Sequence, residues 1–61
     1  MDIDKIAEID RLIEHLENVS ADLQDLYLNI DKYDRYSAST KIATNAGLVK
    51  GVAQRLNEIR G

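Results

Sequence analysis

A chain of 61 residues without cysteine, proline, phenylalanine or tryptophan has room for one domain, and for neither a disulfide scaffold nor a thiolate metal site. A chain this short buries only about 60% of the surface its unfolded form exposes, so a lone monomer is marginal and pairing with a second copy is the expected remedy. The net charge of −3 conceals a split: Met1 to Asp31 hold nine acids against Lys5 and Arg11, whereas Lys32 to Gly61 hold six bases against Asp34 and Glu58. Asymmetry of this kind hints at nucleic-acid contact by the basic half; the plainer reading is that helix surfaces carry charge.

The N-terminal half reads as helix. Ile6, Ile9, Ile13, Leu16, Ser20, Leu23, Tyr27 and Ile30 recur at spacings of three and four, with Leu12, Val19 and Leu26 beside them widening the stripe. Unbroken from Asp2 to about Tyr36, such a helix runs on the order of 50 Å at 1.5 Å per residue. A domain of this size cannot cover it, so Ile6, Ile9, Leu12, Ile13, Leu16, Val19 and Leu23 are the expected dimer interface. Ser20 stands on the stripe, and with Ala21 and Asp22 behind it could equally cap a second helix; both versions stay open. The acidic start and the lack of any apolar run near 20 residues argue against a signal peptide or a membrane span. The cytoplasm is therefore the expected compartment, with no membrane partner.

Residues 32–39 are the expected connection. Asp31 and Arg35 are placed to pair at i and i+4, and Ser37 and Ser39 are good helix-capping types. From Ser39 to Glu58 one helix would bury Ile42, Ala46, Val49, Ala53 and Leu56 on one face. It would also hold Gly47 and Gly51 in its interior, each costing about 1 kcal/mol against alanine. The alternative ends a short helix at Gly47, where glycine suits the left-handed backbone of a helix terminus, and starts another near Val49.

Ile42 and Ala43, then Gly47 four residues after the alanine, then Leu48, with Val52, Ala53, Leu56 and Ile59 to follow, resemble the helix-turn-helix of DNA-binding proteins. The resemblance covers Ser39 to Glu58, a third of the chain, and departs from the pattern at Ala53, where a branched aliphatic is usual. With no strands to form a wing it implies the bare trihelical kind, its first helix drawn from about Leu23 to Tyr36. It also implies that the helix from about Val49 to Arg60 enters the major groove. Val49, Lys50, Gly51, Gln54, Arg55 and Glu58 would then face the bases, while Ser39, Thr40 and Lys41 meet phosphate. For Gln54 and Arg55 the plainer account is a solvated helix face.

Chemistry of the chain's own is not expected. His15 is the single histidine and lies off the stripe between Glu14 and Glu17, short of a metal site or a catalytic base with a nucleophile. Asp2 and Asp4 lack the glycine and the later acid of a calcium loop. No catalytic residue, metal ligand or cofactor site emerges.

The fold class expected is all-α in a single domain, residues 1–61: a long acidic N-terminal helix over 2–36, whole or broken near Ser20, then a short helix-turn-helix over 39–60, as a dimer. Two functions fit. The first is a small dimeric helix-turn-helix regulator of transcription, with double-stranded DNA as its partner. The second is a helical-hairpin protein-interaction module, pairing into a four-helix bundle that binds or inhibits a larger protein; Ala43, Gly47 and Gly51 would then give a flat strip. The backbone at 47–49 separates them, a turn favouring the first and continuous helix removing it.

Overall fold

The computed structural model describes residues 3–61, so Asp2, the expected first residue of the N-terminal helix, lies outside the described residues. Two helices of equal length, α1 (Ile3–Leu28) and α2 (Arg35–Arg60), lie antiparallel as a hairpin. Between them the chain makes one 3-10 turn at Ile30–Lys32. The shape is a slab of 45 × 16 × 10 Å. An all-α fold is what the spacing of apolar residues predicts.

Three boundaries differ from expectation. Helix α1 runs through Ser20 without a break and stops at Leu28 rather than near Tyr36. The reversal therefore falls at residues 29–34, and the segment expected as the first helix of a helix-turn-helix is split across it. Asp31 consequently lies within the turn and Arg35 opens α2, instead of both standing on one helix face. Third, α2 starts earlier than Ser37 or Ser39: Asp34 caps it, its carboxylate accepting the Ser37 N–H at 2.7 Å. That bond satisfies a donor the first turn leaves orphaned.

Helix α2 is also unbroken where a turn was expected. Gly47 and Gly51 keep helical backbone, with no glycine at positive φ among the described residues. The reason lies in register. Buried Leu12, Val19 and Leu26 of α1 recur every seven residues, and so do buried Asn45 and Val52 of α2, flanked at the same spacing by half-buried Ala38 and Ile59. Such a repeat keeps one seam of each helix against the other for its full length. A turn at Gly47 would rotate Val52 and Ile59 out of that seam. The two glycines fall on the outer, polar side, where continuing the helix costs only their propensity. Leu12 and Val19, expected at a dimer interface, instead meet α2 of their own chain.

Candidate interaction face

Rows of residues one step to either side of the buried seam give the hairpin two unlike faces. On one face Glu8 and Asp22 of α1 lie opposite Arg55 and Lys41 of α2. The Arg55 guanidinium donates to both carboxylate oxygens of Glu8, with Nη2 to Oε1 at 2.9 Å, and Nη1 donates to Glu58 at 2.5 Å. Nearer the turn, the Tyr33 hydroxyl donates to Asp25 Oδ2 at 2.5 Å, and Lys41 Nζ donates to that hydroxyl at 3.1 Å and to Asp25 at 3.3 Å. Asp22 lies 3.9 Å from the same ammonium, and Asn29 Nδ2 donates to Asp25 Oδ1 at 3.0 Å.

These bonds set the titration of the groups they join. The Arg55 hydrogen bond holds the Glu8 carboxyl below its usual range, with desolvation opposing it. Asp25 is lowered by the Tyr33 hydroxyl first and the Lys41 ammonium second. Asp34 is lowered by the Ser37 backbone N–H it caps. Lys41 is raised, mostly by its bond to Tyr33, and Arg55 is raised by Glu8 and then Glu58. In each case the charged form is favoured because its partner stabilises that form directly.

The other face is apolar. Ile9, Leu16 and Leu23 of α1 and Ile42, Val49 and Leu56 of α2 flank the seam, again every seven residues. Val19, Leu23, Ile42, Asn45, Ala46 and Val49 line an open groove of about 310 Å³, and Ile9, Leu56, Ile59 and Arg60 line a second near the open end of the hairpin. Ile6 and Ile13, one row further out on α1, are each 48% exposed, and Val49 is 43% exposed. Exposed apolar residues are ordinary singly; a continuous band along a whole domain marks a surface meant to be covered.

Asn45 sits at the inner edge of this groove and is buried, at 2% exposure. Its Nδ2 donates to the Lys41 carbonyl at 2.9 Å, and its Oδ1 has no hydrogen-bond partner. An unpaired buried amide oxygen is costly in an apolar seam.

The residues expected to meet DNA do not converge. All nine lie on one straight helix, and Val49, Lys50 and Gly51 are consecutive, so they point about 100° apart. Val49 faces the apolar groove. Lys41 and Arg55 face α1 and are held by its carboxylates; Gly51 and Glu58 share their side of the helix. Ser39 lies in line with Ala46 on the apolar side, Thr40 and Gln54 share the outer edge, and exposed Lys50 stands apart on the other edge. Of the residues expected at a dimer interface, Ile6, Ile13, Leu16 and Leu23 are exposed and Ile9 is half-buried. Sequence reasoning missed Asp34, the Asp25–Tyr33–Lys41 cluster and the Glu8–Arg55 pair. Asp34 carried a signal, an aspartate three residues before Ser37; the others join residues that no local pattern links.

No group of three or more potential metal-binding side chains occurs among the described residues, and none of their helices is long and apolar enough to cross a membrane. No protein family, curated protein or solved structure matches the chain.

Proposed function

We propose that this chain is a helical-hairpin protein-interaction module whose binding surface is the apolar face formed jointly by α1 and α2. The single observation that carries the reading is the run of Ile9, Leu16, Leu23, Ile42, Val49 and Leu56 on one side of a hairpin whose opposite side is ion-paired. One face is finished and the other is not. An apolar stripe on two adjacent antiparallel helices accepts two further helices, which completes a four-helix core. Function then follows from the assembled bundle docking on a larger protein, with no reaction performed by the chain.

DNA recognition through α2 is the competing reading, supported by the five bases against one acid along that helix. It lacks the turn at Gly47 that would present a recognition helix, and Lys41 and Arg55 are engaged by α1. A titration of duplex DNA at low and moderate salt decides between the two. The interaction module leaves DNA unbound at low salt. Binding that weakens steeply with salt, with a slope flattened by Lys50→Ala/Arg55→Ala, would overturn the proposal in favour of DNA.

A further inference from the structure

We infer that the apolar face is covered by a second copy of this chain, related by a two-fold axis parallel to the helices, so that α1 of each protomer packs on α2 of its partner and both turns lie at the same end. This inference rests on the proposed function and specifies its first partner and that partner's orientation.

Area argues for a second copy. A compact monomer of 6.9 kDa is expected to expose about 4,000 Å², and this chain exposes 4946 Å². The excess approximates the roughly 800 Å² that each partner contributes to a standard protein interface. The surface is also self-matching, since two 26-residue helices present an apolar band of the same length.

Charge and shape choose the orientation. Face-to-face pairing allows two axes: one parallel to the helices, which sets α1 on the partner's α2, and one across them, which sets α1 on α1 and α2 on α2. Helix α1 carries seven acids against two bases, and α2 five bases against one acid. The crossing axis therefore opposes like with like. The parallel axis opposes acidic with basic, as the ion-paired face already does within one hairpin.

One pair makes this specific. Glu17 of α1 and Lys50 of α2 occupy the outer edge of the apolar face, one row beyond Ile13 and Ala46 respectively. A parallel axis keeps each residue at its own height. From the register of Glu8 with Arg55 and Asp22 with Lys41, Glu17 then stands about 6 Å along the axis from Lys50 across the interface. Because each side chain leans toward its own helix N-terminus, the two lean toward each other. Ile13 lies within one helical turn of Ala53, about 4–5 Å along the axis, large beside small, as interdigitating layers require. A crossing axis centred on the hairpin brings Glu17 beside a second Glu17 and Lys50 beside a second Lys50.

The chain lacks cysteine, so a single Asp31→Cys substitution in the exposed turn gives one spin label per protomer. With both turns at one end, pulsed electron resonance reads a separation under about 30 Å, set by helices some 10 Å apart. A crossing axis places the labels near the 45 Å length of the hairpin. In parallel, Glu17→Lys or Lys50→Glu alone weakens the dimer about tenfold, since symmetry repeats each contact, and both together restore affinity to within about threefold. A long label distance, or single reversals without effect, overturns the orientation while leaving a dimer intact. A chain that stays monomeric overturns both the orientation and self-pairing.

Discussion

Arg55 and Glu8 stand 47 positions apart in the chain and meet in a forked ion pair that closes the open end of the hairpin. At the other end Lys41 meets Asp25 and Tyr33 in the same fashion. Between these two clasps the ionic face leaves one large apolar residue exposed, Leu48 at 43%, whereas the opposite face is apolar along its length.

The clasps give stability a defined dependence on pH. Glu8, Asp25 and Asp34 are all held below the usual carboxylate range, so the stability they contribute is present above their unfolded values near 4 and lost as pH falls through their lower folded values. At fixed chain concentration the melting temperature should drop as pH is taken from about 6 to about 2. Glu8→Gln/Asp25→Asn should melt lower at neutral pH and show a flatter acid limb. Thermal melts of both proteins across that range check this, and parallel profiles would deny the clasps a role.

Glycine at 47 and 51 distinguishes a continuous α2 from a turn. A Cβ built at either position meets nothing within 4 Å, and both have helical backbone. Gly47→Ala and Gly51→Ala should each stabilise the protein by about 0.5–1 kcal/mol, through helix propensity and a less flexible unfolded chain. Chemical denaturation measures this. Were Gly47 in a left-handed turn, its substitution would destabilise instead.

Asn45 is the one polar residue in the buried seam among those described. Replacing it with leucine removes an unpaired amide oxygen and adds apolar contact to Val19 and Leu23 across the groove. Asn45→Leu should raise stability by about 1–2 kcal/mol in denaturant unfolding. A buried asparagine in such a seam also fixes register at a cost in stability, so the variant's spin-label distances should broaden. Unchanged or lower stability would mean that the amide is satisfied in solution.

Helix was legible in the sequence because apolar spacings of three and four persist through both halves. The reversal was harder to place. Residues 29–34 contain no glycine or proline, only Asn29, Asp31 and Asp34 as turn-favouring types, and the apolar stripe runs on through Ile30 across the break. In α2 the strong local signal of two glycines outweighed a seven-residue repeat that spans both helices, and the repeat prevailed because it is supported by tertiary packing. The apolar stripe of α1 is readable as a surface that some neighbour must cover. Its innermost row, Leu12 and Val19, was assigned to a second chain because a single helix gives no sign of the neighbour its own chain supplies. Ion pairs across the hairpin depend on the register of two distant segments, which the local pattern of neither contains.

Sedimentation equilibrium of the wild-type chain and of Leu16→Asp/Val49→Asp, from low micromolar concentration upward, tests the central claim most directly. The account predicts twice the 6.9 kDa chain mass for the wild type and a shift toward the single-chain mass for the variant, whose charges lie in the apolar face. A wild-type chain that remains helical and sediments at 6.9 kDa throughout, or a variant that pairs as well as the wild type, would contradict it.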